Sequence, residues 1–257
     1  MEIPPKVFAR AKKLKRPAVD DLFAQVYPAV VRIAKGLAGR DDVAAGVVRF
    51  MMLRAARMLP TWRDESAAER WFLHHTVLTA RRAASHQPDP KSDLLATAAD
   101  PAADPPYIAF VRAVRQLPVQ QREAFVLHAG EHFNSRYLGV AMDCSTQAAQ
   151  AHLDAARAAL QTVAGGPAEC DVLTARLAAA YTRLGPTEGQ VLPAVRKHVA
   201  KALRPHRVRR AIRWIVTLAV FAAIAWLAWK WKPWRGTGIL PVSATAPTTM
   251  PVNDPKK

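Results

Sequence analysis

A run of sixteen residues near the C-terminus constrains this chain more than any other feature. Trp214 to Trp229 reads WIVTLAVFAAIAWLAW, with no charged side chain and one polar one, Thr217. A helix needs about 20 apolar residues to cross a bilayer, and Arg213 and Lys230 can extend the run by directing their charges to the headgroups. A buried core helix and an in-plane helix are the alternatives, and the in-plane one is disfavoured because the run is apolar all round. The sequence therefore predicts a transmembrane helix over residues 211–231.

The flanks of this run differ in positive charge. The preceding flank carries Arg204, Arg207, Arg209, Arg210 and Arg213, and the following one carries Lys230, Lys232 and Arg235. The more positive flank of a membrane helix stays on the cytoplasmic side. We therefore predict a single-pass protein of the cytoplasmic membrane with its N-terminal domains in the cytoplasm. The tail, 232–257, is rich in Pro, Thr and Gly and is predicted to be disordered.

The composition indicates an anionic partner. Lys and Arg number 37 against 20 Asp and Glu, a formal net charge of +17. Nucleic acid and an anionic lipid surface would both fit, and a generally Arg-rich proteome is the alternative. The two cysteines, Cys144 and Cys170, form no CxxC motif, which disfavours a disulfide framework or zinc site. With no phosphate loop, nucleophile elbow or catalytic carboxylate pair, the chain is predicted not to be an enzyme and to need no cofactor or metal.

Apolar residues recur at the helical period almost throughout, so the fold class is predicted to be all-α. The first domain should hold helices at 19–38, 41–59 and 66–85, with Asp20 as an N-cap and Ser66 with Glu69 as a capping box. The predicted division is a basic disordered arm (1–18), a helical domain (19–86), a Pro/Asp-rich linker (87–106), a second helical domain (107–165) and a helical stalk (166–210).

Residues 122–160 read as three short helices, and the last two are joined by a four-residue connection, 143–146. Asp143 tolerates the left-handed conformation that a sharp turn needs, and Ser145 can cap the final helix. This spacing is typical of a helix-turn-helix, although other helical hairpins share it. Its small core should consist of Leu138, Val140, Ala141, Met142, Ala149 and Leu153.

Over about residues 19–164 the sequence resembles the extracytoplasmic-function (ECF) type of bacterial RNA polymerase sigma factors, of the sigma-70 family. LPVQQREAFVLHAGEHFNSRYLGVAMDCSTQAAQAHLDAARAAL is similar to the family's promoter −35 domain, region 4. DLFAQVYPAVVRIAKGL, LRAARML and WRDESAAERWFLHHTVLTARRAA are similar to its −10 domain, region 2.

The resemblance implies partners and roles. Region 2 would bind core RNA polymerase and melt the −10 element of promoter DNA, and region 4 would read the −35 element. It also allows for an anti-sigma regulator. The region 2 candidates for DNA contact are Trp62, Arg63, Arg70, His74, His75, Arg81 and Arg82. The region 4 candidates are Thr146, Gln147, Gln150, His152 and Arg157. The candidates for polymerase contact are Arg49, Phe50 and Arg54.

The sequence departs from the family at two surfaces. Its second helix reads AAGVVRFMML where acidic residues and glutamine are usual, and the recognition helix has Gln147, Gln150 and His152 where basic residues are common. Glutamine can still read adenine, but phosphate affinity should be low. The leading hypothesis is a membrane-tethered sigma factor with a helix-turn-helix. The alternatives are a degenerate sigma-like scaffold that no longer initiates transcription and a protein whose charge serves anionic lipid alone.

Overall fold

The computed structural model describes residues 3–83, 92–99 and 104–231, without the side chains of residues 201–211. All regular structure in these residues is helical, which confirms the all-α prediction. The first four helices are α1 (Pro5–Lys12), α2 (Arg16–Ala38), α3 (Asp41–Met58) and α4 (Glu65–Ala83). The next four are α5 (Leu94–Thr97), α6 (Pro105–Gln116), α7 (Val119–Glu131) and α8 (Ser135–Met142). The last three are α9 (Thr146–Ala164), α10 (Pro167–Arg183) and α11 (Glu188–Lys230).

Helices α2, α3 and α4 pack as an N-terminal bundle. The apolar stripe of α2 is buried along its whole length. Its members are Leu22, Phe23, Val26, Val30, Ile33, Ala34 and Leu37. Phe23 meets Phe72 of α4 edge to face, with ring centroids 5.9 Å apart, a favoured aromatic geometry. Gly39 ends α2 in the left-handed region at φ 69°, as glycine commonly does at this position.

Two predicted helix starts are wrong. Asp20 lies inside α2, which begins at Arg16 because Pro17 fits the first helical turn. The capping box of Ser66 and Glu69 does not form. Asp64 instead accepts a hydrogen bond from the Ala67 backbone N–H at 2.7 Å, while Glu69 accepts one from the Ile3 backbone N–H.

The segment predicted as a disordered arm contains α1, which packs on α2. Ile3, Phe8 and Ala11 are buried there. The basic composition predicted a solvated tail, but Phe8 and Ala11 lie one turn apart on α1 and Ile3 lies just before it, so that these apolar side chains are covered. The apolar contact outweighs the local charge.

Helices α6 to α9 pack as a C-terminal bundle. Asp143 ends α8 in the left-handed region, at φ 61° and ψ 50°, and the Ser145 hydroxyl accepts a hydrogen bond from the Ala148 backbone N–H at 3.1 Å. Both predicted turn residues are therefore confirmed. The six predicted core residues of this turn are buried except Val140, which packs partly covered against the core.

The two bundles belong to one compact unit, Met1–Pro205. A buried joint connects them through the segment predicted as a linker. The Arg115 guanidinium of α6 donates to both carboxylate oxygens of Asp93, at 2.6 and 3.0 Å. It also donates to the carbonyl oxygens of Gly36 and Leu37 at 2.9 and 3.1 Å. The described linker residues 92–99 thus carry structure, because Asp93 supplies the countercharge that a buried arginine needs.

Helix α10 packs against α7 and α9. The prediction of a stalk over this part of the chain is wrong, since Leu173, Leu177 and Tyr181 are buried in the compact unit. Gly185 and Pro186 lie between α10 and α11. Residues His206–Lys257 form a second unit, and the described residues include one helix segment long and apolar enough to cross a membrane, Ile212–Lys230. The tail 232–257 lies outside the described residues.

Candidate nucleic-acid and polymerase interface

Basic and aromatic side chains of α3 and α4 share an exposed surface, which we call the α3–α4 face. The Arg54 guanidinium lies 5.8 Å from the centre of the Phe50 ring, within cation–π range. Trp71 stacks on His75, with ring centroids 4.6 Å apart and planes tilted by 21°. The members of the face are Phe50, Arg54, Trp71, His74, His75 and Arg82. None of these side chains is fully buried, so the face offers both positive charge and aromatic surface. Arg70 instead lines a cleft between α4 and α8, with Arg136 and Tyr137.

Electrostatics on the α3–α4 face favour a neutral imidazole at His75. Its partial burial, followed by the nearby charges of His74, Arg54 and Arg82, lowers its pKa from the usual value. The same cations attract any anion that approaches the face. Aromatic rings beside arginines are the elements that bind single-stranded nucleic acid by stacking and phosphate contact.

Trp62, a candidate for base contact, is placed elsewhere. Its side chain is 5% exposed, and its ring packs on Trp71 at 5.2 Å and on Phe72 at 5.5 Å between centroids. Because its ring is enclosed by other aromatic side chains, it offers no free face to a base in this arrangement. Trp71 retains an exposed edge and is the tryptophan that lies at the surface.

Arg81 is engaged in an ion pair across the two bundles. Its guanidinium donates to Glu123 of α7 through two hydrogen bonds, at 2.8 and 2.5 Å. Glu123 is 2% exposed, and this pairing raises the pKa of Arg81. A buried carboxylate holds its partner strongly, so Arg81 is not free for phosphate here. Arg63 is exposed, and Lys12 of α1 donates to its carbonyl oxygen at 3.4 Å.

The three candidates for polymerase contact divide between two surfaces. Phe50 and Arg54 belong to the α3–α4 face. Arg49 instead lines a cleft between α2, α3 and the start of α11, near His198. Val191, Val195 and Val199 recur every four residues along this part of α11 and are buried. The start of α11 thus covers part of the α2–α3 surface beside Arg49.

The exposed surface of α9 is nearly neutral. Thr146 and Gln147 are exposed in its first turn, and Gln150 donates to the carboxylate of Asp154 at 2.8 Å. We call this surface, Thr146, Gln147, Gln150 and Asp154, the α9 face. Each helical residue turns by about 100°, so His152 falls on the other side of the buried stripe, about 160° from Gln150. The predicted set on α9 is therefore not presented on one face.

Arg157 lies near the α9 face but is turned toward α7. Its Nη2 lies 2.6 Å from Nε2 of His128, whose Nδ1 lies 2.9 Å from the Phe133 carbonyl oxygen. A carbonyl can only accept, so Nδ1 carries the proton and Nε2 accepts from Arg157. This contact leaves the α9 face with the carboxylate of Asp154 and without a free cation.

Three residues that shape these surfaces were not predicted from the sequence: Glu123, Asp154 and Tyr181. Asp154 could have been found, because its position on the exposed side of α9 follows from helical spacing. Tyr181 continues the apolar stripe of Leu173 and Leu177, which is a signal of burial. Glu123 had no signal, since its partner Arg81 is 42 residues away in the chain.

The described residues contain no group of three or more His, Cys, Asp or Glu side chains that could hold a metal ion. Cys144 and Cys170 are both free thiols.

Comparison with known proteins agrees with the resemblance carried by the motifs. The chain is similar to the ECF RNA polymerase sigma factor SigM from two strains of Mycobacterium tuberculosis, Erdman and H37Rv. Each match is 32% identical over 135 residues, which cover 49% of this chain and 68% of the relative. No protein-family model and no solved structure matches the chain.

Proposed function

Because the chain belongs to the ECF family of RNA polymerase sigma factors, we propose that it directs core RNA polymerase to promoters while tethered to a membrane. The similarity over two thirds of a sigma factor is the observation that carries this proposal. In this role the chain contributes binding surfaces and the polymerase contributes the chemistry. The partners are core RNA polymerase and promoter DNA, and an anti-sigma regulator is a further partner.

Reading of the −35 element is assigned to α8 and α9. Their tight turn at Asp143 and the cap at Ser145 support a helix-turn-helix, and the second helix of that motif enters the major groove by its N-terminal residues. Thr146 and Gln147 occupy that end of α9 and are exposed. Glutamine pairs with adenine through two hydrogen bonds, so this helix is suited to reading bases more than to holding phosphate.

Melting of the −10 element is assigned to the α3–α4 face. Strand separation requires that unstacked bases find new stacking partners and that the exposed phosphates find cations. Trp71 with His75 supplies the rings, and Arg54 and Arg82 supply the cations. Arg70, in the cleft between α4 and α8, is a further candidate for phosphate contact. Arg63 lies just before α4 begins, at the opposite end of the helix from Arg82.

Polymerase binding is assigned to α2 and α3. Two surfaces are candidates for it: an exposed one with Phe50 and Arg54, and one beside Arg49 that the start of α11 partly covers. Substitution of Arg49 and of Phe50 separately would distinguish them, because only the surface in contact with polymerase should lose affinity. The expected loss from truncating a central aromatic contact is about 2 kcal/mol.

The membrane tether is assigned to the apolar segment Ile212–Lys230, whose mean hydropathy is 1.9. The arginine-rich flank before it favours a cytoplasmic N-terminus. The assigned location is the cytoplasmic membrane, with both bundles in the cytoplasm, where polymerase and DNA are found. Membrane fractionation, followed by protease digestion from each side, tests this. Recovery of the full chain in the soluble fraction would contradict the tether.

The function is tested by capture of core polymerase on the tagged full chain and by run-off transcription from promoters found by chromatin immunoprecipitation. The expected result is stoichiometric capture and a transcript that depends on added chain. A matched chain with Trp71→Ala and Arg82→Ala should capture polymerase and yield little transcript. Absence of both capture and transcript would exclude the proposal.

A second candidate is a sigma-like scaffold that binds its partners without initiating transcription. The neutral α9 face favours it, because Asp154 would repel phosphate. So does the stretch of α3 that has Arg49 and Phe50 where the family usually carries polar or acidic residues. Polymerase capture without any promoter-dependent transcript would support this alternative.

A further inference from the structure

Tyr181 of α10 lies between the two bundles and is fully buried. A Cβ atom added at Gly130 of α7 would come within 2.5 Å of the Tyr181 ring, and one added at Gly36 of α2 would also overlap it. The ring therefore fills a slot whose two walls are glycines, one from each bundle. Neither glycine is needed for a positive φ, since both lie within helices. Their lack of a side chain serves the close approach of the tyrosine.

The polar end of Tyr181 joins a second contact between the bundles. Its hydroxyl donates to Oε1 of Glu131 at 3.2 Å. Arg32 of α2 donates to both carboxylate oxygens of Glu131, each at 2.9 Å. The Arg32 and Glu131 side chains are 27% and 8% exposed, so this pair is shielded from water and geometrically specific. One residue of α10 thus touches both bundles and the ion pair that links them.

The closed arrangement cannot serve both promoter elements at once. The positions −35 and −10 place the two promoter elements about 25 base pairs apart. On a straight duplex this is about 85 Å, at ~3.4 Å per base pair. A compact unit of about 200 residues has a radius of gyration near 16 Å. The α3–α4 face and the α9 face belong to one such unit, Met1–Pro205. The bundles must therefore separate before α4 and α9 reach the two elements together.

In the closed arrangement, two of the groups proposed to contact DNA or polymerase are already engaged within the chain. Arg81 is paired with Glu123 across the bundles. The start of α11 covers the α2–α3 surface near Arg49, and Arg196 lies 3.8 Å from Asp20 of α2. Helices α10 and α11 follow each other in the chain, so a single C-terminal segment lies on both bundles.

We propose that α10 is a built-in clasp, in which Tyr181 holds the two bundles closed, and that the chain binds core polymerase and spans a promoter only after this contact opens. The second half of this inference rests on the proposed function. Opening separates the Arg32–Glu131 and Arg81–Glu123 pairs and frees Arg81. The slot is specific to glycine at both walls, because a Cβ atom at Gly36 or Gly130 would overlap the Tyr181 ring.

The first test is hydrogen exchange on the full chain in lipid nanodiscs. Tyr181→Ala should speed amide exchange at least tenfold in α2 near Gly36 and in α7 near Gly130, because the ring that closes the slot is lost. Tyr181→Phe keeps the ring and loses one hydroxyl bond, so its exchange should stay near that of the unaltered chain. Val172→Ala, at an exposed position of the same helix, is the matched control and should change neither segment.

Gly130→Ala provides a variant that keeps the tyrosine. Alanine is the better helix former, but its Cβ overlaps the ring, so we expect the same faster exchange as for Tyr181→Ala. In the Tyr181→Ala background the added methyl meets no ring, and Gly130→Ala should then have no further effect. Helix content by circular dichroism checks folding, and if Tyr181→Ala loses helix, Gly130→Ala decides the outcome.

The second test measures affinity for core polymerase with the same variants. A partner that binds only the open state gains apparent affinity in proportion to the open population, so Tyr181→Ala and Gly130→Ala should bind at least tenfold more tightly. Unchanged exchange in both variants overturns the clasp. Faster exchange with unchanged polymerase affinity overturns its control of binding. Faster exchange when no form of the chain binds polymerase supports the clasp and overturns the proposed function instead.

Discussion

The α3–α4 face and the α9 face are the two candidate surfaces for DNA, and they differ in the interactions they can offer. The α3–α4 face brings two arginines, two histidines and two aromatic rings to one exposed surface. The α9 face brings two glutamines, a threonine and an aspartate, and its nearest arginine is turned toward His128. Charge and stacking are thus concentrated on one bundle, and neutral hydrogen-bonding groups on the other.

This difference indicates that affinity for DNA and selectivity for a DNA sequence are divided between the two bundles. Phosphate neutralisation supplies most of the binding free energy on nucleic acid, and it depends on salt. Base reading supplies selectivity and depends little on charge. We therefore expect the α3–α4 face to set how tightly the chain binds DNA, and the α9 face to set which duplex sequence it prefers.

The largest expected effect is a loss of folding stability when the buried contact between Arg115 and Asp93, which joins the two bundles, is broken. Arg115→Ala leaves Asp93 buried without its countercharge and removes the donor to the Gly36 and Leu37 carbonyls. Removing one partner of a buried pair costs about 3–5 kcal/mol. Urea unfolding followed by circular dichroism should show this loss.

Arg112→Ala is the control for the joint, since Arg112 is an exposed arginine of the same helix. It should shift the unfolding free energy by no more than ~0.5 kcal/mol. Equal unfolding curves for the Arg115 and Arg112 variants would mean that the joint contributes nothing to the compact unit.

The next effect in size tests the charge of the α3–α4 face. The double variant Arg54→Ala, Arg82→Ala should bind a single-stranded oligonucleotide about 20-fold more weakly at ~0.1 M salt, because two phosphate contacts are lost. The slope of log affinity against log salt should flatten by about 1.4. The pair Arg112→Ala, Arg136→Ala removes the same charge from exposed positions off the face. Equal losses in both double variants would show that net charge alone, and no defined face, governs binding.

A smaller effect should follow from adding charge to the α9 face. Asp154→Arg replaces the carboxylate that holds Gln150 and should tighten binding to any duplex about fivefold. Its salt slope should steepen by about 0.9, the contribution of one phosphate contact. Asp171→Arg makes the same change at an exposed position of α10 and serves as the control. If only the Asp171 variant gained affinity, α9 would not lie against DNA.

Much of the fold could be predicted because its signals are local. The stripe from Leu22 to Leu37 repeats at the helical period, and the turn at Asp143 and Ser145 depends on residues a few positions apart. These patterns act through backbone geometry and burial, which neighbouring residues determine. The helices of both bundles and the turn between α8 and α9 therefore follow from the sequence.

The relation between the bundles could not be predicted in the same way. Arg115 and Asp93 are 22 residues apart, and Arg32 and Glu131 are 99 apart. Helical periodicity places each residue on a face of its own helix but does not say which partner will meet it. The Pro and Asp content of residues 87–106 predicted a linker, whereas Asp93 became a buried partner because a distant arginine required it. Arg81 was predicted to face DNA, and Glu123 was not predicted at all, because the sequence does not show that these two residues pair.

The smallest expected effect concerns His75, and it reports whether the α3–α4 face meets phosphate. Partial burial and the cations around His75 hold its pKa below the usual value near 6.5. The unfolded chain therefore takes up this proton first as the pH falls, so stability decreases below about pH 6.5 and levels off below the folded pKa. His75→Gln should lose less stability than the unaltered chain between pH 7 and pH 5 in urea unfolding. Phosphate beside the ring would offset Arg54 and Arg82, so binding of a single-stranded oligonucleotide should raise the His75 pKa in an NMR titration. A pKa that stays fixed while the oligonucleotide binds would place the DNA on another surface and end the division of roles between the two faces.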